Sequence, residues 1–250
     1  MKIVSLIPSA TEIISALNLY DNLVGVSHEC DYPEDALKLP KLTTSKIKTE
    51  QLSLKIDYDI REILEQSLSV YEVKSNLLKK LDPDVIITQS QCSVCAVSLK
   101  DVEKCLRNFI DKKPVLIDLK PNTFEDVLKD IKLVGKKLDK EEESNFLVKN
   151  IKKEVNKIKA KTINSKIKNV LCIEWIEPIM TAGNWIPQLV QFAGGKSILA
   201  KTGKNSNFVK LEDINLQEVD IVIFMPCGFD INRSKKEIFK SNIDYFSILK

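Results

Sequence analysis

The chain has 250 residues, which is enough for one large domain or two ordinary domains with a substantial buried core. Hydrophobic residues make up 44% and charged residues 29%, as in an ordinary globular protein, and the net charge of +3 is too small to predict a nucleic-acid partner. No apolar stretch approaches the roughly 20 residues of a membrane-spanning helix, so membrane insertion is not expected.

The first residues predict a strand followed by a helix. Residues 2–6 are mainly aliphatic, and the Ser9-x-x-Glu12 spacing is a capping box that predicts a helix ending near Leu17. The apolar run is too short for a signal peptide, since Pro8 ends it and Glu12 stands where a cleavage region would be. We therefore expect a cytoplasmic protein, or a periplasmic or cell-surface protein if the true start lies upstream.

Strand-like runs and helical patterns then alternate through the first half of the chain. The predicted elements are strands at residues 24–27, 84–89 and 114–118 and helices at residues 75–81 and 98–110. This alternation is typical of a parallel sheet flanked by helices. Residues 1–122 are therefore predicted to form one α/β lobe.

The centre of the chain predicts a long helical segment. Apolar residues recur at helical spacing from Phe124 to Ile158, with a charged break at residues 139–144. Strand-like runs resume afterwards, so residues 161–250 are predicted to form a second lobe. The predicted fold class is α/β, with two doubly wound lobes joined by a long backbone helix at residues 123–160.

The least common side chains follow the predicted strands. His28 is the only histidine and follows the strand at residues 24–27; Cys30, Cys92, Cys95, Trp175 and Cys227 share this kind of position. In open parallel sheets, ligands bind beyond the carboxyl ends of the strands. The pattern therefore predicts at which edge of the sheets the function resides.

Three motifs resemble a known family. Residues 3–12 (IVSLIPSATE), residues 24–27 (VGVS) with Asp31-Tyr32-Pro33, and residues 81–86 (LDPDVI) are similar to the amino-terminal lobe of helical-backbone (class III) substrate-binding proteins, which serve cobalamin, haem and iron–siderophore importers. The resemblance is closest to the cobalamin-binding branch and covers essentially the whole chain.

This resemblance implies two α/β lobes joined by one rigid helix, with a small-molecule ligand held between the lobes. The implied ligand is cobalamin or a similar corrinoid or metal chelate, and the implied partner is an ABC transporter permease if the protein is exported. Similar proteins continue after Tyr245-Phe246, so the second lobe is expected to be incomplete at Lys250.

Seven residues at or beyond predicted strand ends are candidate ligand-binding residues: Ser9, His28, Tyr32, Gln91, Trp175, Trp185 and Phe229. The flat indole faces suit a macrocycle, although Trp185 could instead pack the helix at residues 186–192 onto its sheet. His28 could ligate a corrinoid cobalt, act as a base toward Cys30 or hydrogen-bond a ligand. Its alternative role is to pin its loop through Glu29, Asp31 or the backbone.

Four cysteines are candidate metal ligands: Cys30, Cys92, Cys95 and Cys227. Zinc needs about four such ligands, and an iron–sulfur cluster or a redox pair is also possible. The alternative is that these thiols are small packing residues, which is how we interpret Cys105 and Cys172. Metal or redox use would favour an intracellular thiol-dependent enzyme or a metal or redox sensor that also uses His28.

Two further observations bear on function. The chain lacks a nucleophile elbow and a phosphate-binding glycine loop, so no catalytic residue is assigned. The resemblance implies that surface glutamates dock arginines of the transporter. Here Glu62, Glu65 and Glu72 cluster at residues 60–73, a pattern more typical of a solvated helix face.

Overall fold

The computed structural model describes residues 1–66, 69–91, 99–109 and 113–245, in which eleven strands and eight α-helices lie. The strands are β1 (Ile3–Ser5), β2 (Leu23–Val26), β3 (Thr43–Ser45), β4 (Tyr71–Val73), β5 (Val85–Gln89), β6 (Val115–Leu119), β7 (Lys168–Trp175), β8 (Met180–Thr181), β9 (Gly195–Ser197), β10 (Asn207–Phe208) and β11 (Ile221–Phe224). The helices are α1 (Pro8–Ala16), α2 (Ser53–Glu65), α3 (Ser75–Leu81), α4 (Leu99–Phe109), α5 (Phe124–Lys137), α6 (Glu141–Thr162), α7 (Ile186–Phe192) and α8 (Ile231–Lys240).

The chain divides into two compact units. Unit 1 comprises Met1–Thr49, Asp59–Lys120 and Leu128–Val148, and unit 2 comprises Glu50–Tyr58, Pro121–Val127 and Lys149–Lys250. The helices α2, α5 and α6 therefore contribute residues to both units. The boundaries expected from the sequence, at residues 1–122, 123–160 and 161–250, stay a prediction.

Unit 1 contains a four-stranded parallel sheet in the order β2-β1-β5-β6. Alternate residues of its strands pack on opposite faces: Ile3 and Ile87 belong to one apolar cluster, and Val4 and Ile86 belong to the other. A parallel sheet buried on both faces needs nearly continuous aliphatic runs, and these runs are what made the strands detectable in the sequence. The strands β3 and β4 form a separate antiparallel pair.

Unit 2 contains a five-stranded mixed sheet around β7. Strands β9 and β11 run parallel to β7, whereas β8 runs antiparallel to β7 and β10 antiparallel to β8. Leu171 and Ile173 pack on one face and Cys172 on the other, so the core position expected for Cys172 is confirmed. Cys105 of unit 1 is half-buried and packs against the apolar cluster of Val4.

The first helix differs from its sequence-based prediction. The capping box of Ser9 and Glu12 is not formed, because α1 begins at Pro8 and its N-cap residue is Ile7, which makes no side-chain cap. Proline suits the first helical position, since its φ angle is already helical and that position needs no N–H partner. Ser9 consequently lies exposed within the first turn.

The central helical segment consists of two helices. The break between α5 and α6 lies at residues 138–140, where Asp139 has a φ of 56°. The two helices approach closely, since a Cβ added to Gly135 would lie 2.3 Å from the Ser144 Oγ. The break was expected at residues 139–144. It lies in this region but is shorter, because α6 already begins at Glu141.

The three glutamates of residues 60–73 do not share one helix face. Glu62 and Glu65 are exposed on α2, but Glu72 lies in β4, so the expectation of a single helix face was wrong for Glu72. Within the described ranges, no helix combines the length and the apolar character that crossing a bilayer requires.

Candidate functional site

The order of the strands in unit 1 marks a site at the carboxyl ends of β1 and β5. The chain passes from β1 outward to β2 and later from β5 outward to β6, so the connections diverge between β1 and β5. Crevices at such switch points are where open α/β sheets bind ligands. Ser9 follows β1 there, and Gln91 follows β5.

Buried hydroxyl groups line the end of β1. The Thr11 Oγ1 donates to the Ser5 Oγ at 2.8 Å and lies 3.1 Å from the Cys30 Sγ. Cys30 is fully buried, and this burial raises the pKa of its thiol despite the hydrogen bond with Thr11. A buried thiol with a raised pKa is a poor nucleophile, so its environment favours packing over reactivity.

His28 is held on both sides of its ring. Its Nδ1 lies 2.6 Å from the Thr43 Oγ1, and its Nε2 lies 3.0 Å from the Glu29 Oε1, at ion-pair distance but off the line of a hydrogen bond. The contact with His28 lowers the pKa of the Glu29 carboxyl. The ring also packs against Tyr71, with centroids 5.3 Å apart. These contacts link the loop after β2 to β3 and β4; whether His28 binds a ligand stays a prediction.

Amide and carboxylate groups line the ends of β5 and β6. The Gln89 Nε2 donates to the Gln91 Oε1 at 3.2 Å. The Ser90 Oγ donates to the Asp118 Oδ2 at 2.7 Å, and the Lys120 Nζ lies 2.9 Å from the same oxygen. The negative charge of Asp118 is therefore compensated by Lys120.

In unit 2, an aromatic cluster lies beyond the ends of β7 and β11. Trp175 ends β7, and its ring centroid lies 5.3 Å from that of Phe229. The Arg233 guanidinium lies 3.6 Å from the centroid of the Phe229 ring. The Trp175 Nε1 donates to the Ser53 carbonyl at 3.3 Å, and the Arg233 Nη2 donates to the Gln51 carbonyl at 3.3 Å. The cluster thus combines flat apolar faces with a cation.

A carboxyl-bearing residue, Glu174, precedes Trp175 in β7. Glu174 sits between Ile173 and Trp175 where the pairing of β7 with β8 shifts register. The Ser206 Oγ donates to its Oε2 at 2.8 Å and accepts from the Gly183 N–H at 3.0 Å. Burial raises the pKa of the Glu174 carboxyl, which Ser206 offsets only in part.

The family follows from a comparison with known sequences. The sequence profile of the periplasmic binding protein family matches residues 3–243. The chain belongs to this family.

Two curated relatives resemble this periplasmic binding protein. An uncharacterized ABC transporter substrate-binding lipoprotein of Bacillus subtilis is 28% identical over 176 residues, or 69% of this chain and 46% of the relative. A vitamin B12-binding protein of Vibrio parahaemolyticus is 24% identical over 224 residues, or 88% of this chain and 69% of the relative. The chain therefore spans about half the length of the first relative.

Solved structures share the fold of this periplasmic binding protein. A periplasmic haem-binding protein of Pseudomonas aeruginosa superposes with a TM-score of 0.71 at 14% identity, covering 96% of this chain and 77% of that one. The periplasmic vitamin B12-binding protein of Vibrio cholerae gives 0.61 at 20% identity, covering 89% and 75%. The expected class III fold is confirmed. The expected cytoplasmic location finds no support in relatives described as a lipoprotein or as periplasmic.

The structure places the predicted site residues of this periplasmic binding protein in two groups. In unit 1, Ser9, His28, Gln91 and the 65% exposed Tyr32 all follow strands of the parallel sheet. In unit 2, Trp175 and Phe229 are in contact, while Trp185 is half-buried and directly precedes α7. That all seven line a single cleft stays a prediction.

Two of the four candidate metal ligands lie within the described residues. Cys30 is buried and Cys227 is exposed, and Cys92 and Cys95 lie outside the described residues. Among the residues that are described, no group of three or more histidine, cysteine or acidic side chains is arranged to hold a metal ion. Zinc or iron–sulfur ligation by these cysteines remains a prediction.

Sequence reasoning missed two polar residues of these sites. Thr43 binds the ring of His28 but belongs to a three-residue strand that the sequence did not reveal. Glu174 was detectable, because a carboxylate at the end of an aliphatic run is unusual in a buried strand.

Proposed function

We propose that this protein is the ligand-binding component of an ABC-type importer and that its ligand is cobalamin, another corrinoid or a similar large metal chelate. Membership of the periplasmic binding protein family supports the general role. The relatives described as binding vitamin B12 or haem support a large metal-containing ligand. The proposed partner is a transporter permease. The protein is proposed to act outside the cytoplasm.

The observation that carries this proposal is the Trp175–Phe229 pair beyond the sheet of unit 2. The two rings lie 5.3 Å apart and remain partly exposed. Aromatic faces with a few fixed polar groups suit a macrocycle, which needs a large apolar contact and few orienting bonds. Trp185 is proposed to add a further aromatic face.

The polar residues at the strand ends of unit 1 are proposed to supply orienting hydrogen bonds. Ser9 is exposed in the first turn of α1, and Gln91 and His28 are half-buried. Hydroxyl, amide and imidazole groups can meet the amide groups at the rim of a corrinoid as donors or acceptors. Ligation of the cobalt by His28 would require its Nε2 to leave Glu29.

The proposal is tested by titration with cyanocobalamin, read by calorimetry and by the visible spectrum. Trp175→Ala and Trp185→Ala should each weaken binding by about 1–3 kcal/mol if the indoles act as hot-spot contacts. The matched control is Phe146→Ala, which removes a 66% exposed aromatic side chain from α6. Absence of heat and of any spectral change at high micromolar cobalamin would refute a corrinoid ligand. It would favour the alternatives, a thiol-dependent enzyme or a metal or redox sensor.

A further inference from the structure

The end of β7 is built around Glu174. In the pairing of β7 with β8, Ile173 lies opposite Thr181 and Trp175 lies opposite Met180. Glu174 is therefore an extra residue of β7 at this register shift. Irregularities of this kind redirect side chains and are enriched beside functional sites. Glu174 directly precedes Trp175, one of the two aromatic residues on which the proposed function rests.

The Glu174 carboxyl is held in place by Ser206, which is itself fixed by Gly183. Gly183 approaches residues 204–206 so closely that an added Cβ would lie 2.4 Å from the Lys204 carbonyl oxygen. This approach allows the Gly183 N–H to bind the Ser206 Oγ, which in turn donates its proton to Glu174. The backbone therefore fixes the hydroxyl, and the hydroxyl fixes the carboxyl.

The charge of Glu174 is left without a cation in the described part of the chain. Ser206 is its side-chain donor there, and no lysine, arginine or histidine of the described residues forms an ion pair with it. The raised pKa agrees with this, since burial opposes ionisation and is only partly offset. A half-buried carboxylate without a cation is stabilised by an additional N–H donor. A second anion beside it destabilises it further.

We propose that Glu174 is a specificity-determining residue that accepts an N–H donor from the ligand and rejects ligands that carry carboxylates. This inference rests on the proposed function and narrows it. Corrinoids of the cobalamin type carry amide groups around the ring, whereas haem carries two propionates. Glu174 therefore selects a corrinoid over haem.

The test compares the dissociation constants of cyanocobalamin and haemin for the full chain at pH 8, well above the ordinary pKa of a carboxyl group. Glu174→Gln removes the charge and keeps an acceptor oxygen. It should lower the ratio of the haemin constant to the cobalamin constant by about tenfold or more, as expected for removal of a like-charge contact. Glu174→Asp keeps the charge and should keep the ratio near that of the wild type.

The matched control is Glu212→Gln, which removes an exposed carboxylate of unit 2 that pairs with Lys210. It makes the same change in net charge and should leave the ratio unchanged. Circular dichroism establishes that each variant is folded. If cobalamin binds and Glu174→Gln leaves the ratio unchanged, the role of Glu174 is refuted while the proposed function stands. If neither ligand binds the wild type, both are refuted.

Discussion

At the scale of single residues, burial separates the described cysteines by their expected reactivity. Cys30 and Cys172 are buried, and burial raises the pKa of both thiols. Cys227 is exposed on the segment between β11 and α8. Since the thiolate is the attacking form, burial and a raised pKa both slow alkylation.

We therefore expect iodoacetamide to label Cys227 much faster than Cys30 or Cys172 in the native protein. Peptide mass spectrometry measures the labelling, and the unfolded protein is the control, in which the three rates should converge. Equal native rates would contradict the burial of Cys30. Labelling of Cys92 and Cys95 in the same experiment, with and without zinc, tests the metal-site alternative.

The Glu29 carboxyl gives a pH-dependent contribution to stability. Its pKa is lowered in the fold by the contact with His28. A group of this kind stabilises the fold above its unfolded pKa, and the stabilisation is lost as the pH falls through the folded pKa. The free energy of unfolding should therefore fall less steeply in Glu29→Gln than in the wild type between about pH 6 and about pH 3.

Urea unfolding at several pH values measures this difference. Glu62→Gln is the control, because Glu62 is an exposed glutamate on α2 and its substitution makes the same change in net charge. Parallel curves for Glu29→Gln and the wild type would mean that the contact between His28 and Glu29 contributes nothing to the fold.

At the scale of elements, the amino terminus of α2 is capped by a distant side chain. The carboxyl of Glu237, which is only 5% exposed on α8, accepts the backbone N–H of Ser53. The first N–H groups of a helix have no partner within the helix, and a carboxylate there also interacts favourably with the helix dipole.

Glu237→Ala should lower the free energy of unfolding by about 1–3 kcal/mol, because it leaves a buried N–H group without its acceptor. Chemical denaturation measures the loss. The control is Lys236→Ala at the preceding, exposed position of α8, which should change stability little. A loss no larger than that of the control would show that water or another group replaces the cap.

The close contact of α5 with α6 makes Gly135 difficult to replace. An added Cβ would meet the Ser144 side chain at 2.3 Å and the Lys140 carbonyl oxygen at 2.8 Å, and the backbone oxygen cannot rotate away. Gly135→Ala should therefore destabilise the protein by about 1–3 kcal/mol despite the better helix propensity of alanine. Thermal unfolding measures the effect, and Lys136→Ala at the adjacent exposed position is the control. A more stable Gly135→Ala protein would contradict this contact.

The success of sequence reasoning differs between elements for a physical reason. The strands β1 and β5 were predicted because burial on both faces demands continuous aliphatic residues. The strands β8 and β10 have two residues each, too few for any periodicity. The predicted N-cap of α1 was wrong, because Pro8 takes the first helical position and the capping box of Ser9 and Glu12 does not form.

At the scale of the whole molecule, the class of the fold and the edges of the sheets that carry polar residues could be read from the sequence. Strand order could not, because it depends on which strands pair rather than on any one strand. The partners of Glu174 and His28 were equally inaccessible. Ser206 and Thr43 are 32 and 15 residues away from them, and only the folded backbone brings these side chains within hydrogen-bonding distance.

The last prediction concerns the cooperativity of the two units. Both tryptophans, Trp175 and Trp185, lie in unit 2, so tryptophan fluorescence follows the unfolding of that unit. Far-UV circular dichroism follows the helices of both units. The helix α5 packs Val134 into the core of unit 1, while its Phe124 packs on Phe192 of unit 2.

The helices α2, α5 and α6 each supply residues to both units, so the unfolding of one unit interrupts three helices that continue into the other. We therefore expect the urea midpoints from fluorescence and from circular dichroism to coincide, as in a two-state transition. Phe124→Ala removes the contact of α5 with Phe192 and should separate the midpoints, with fluorescence changing first. Phe146→Ala, at an exposed position of α6, is the control and should leave them together. Separate midpoints in the wild type would show that the shared helices do not couple the units.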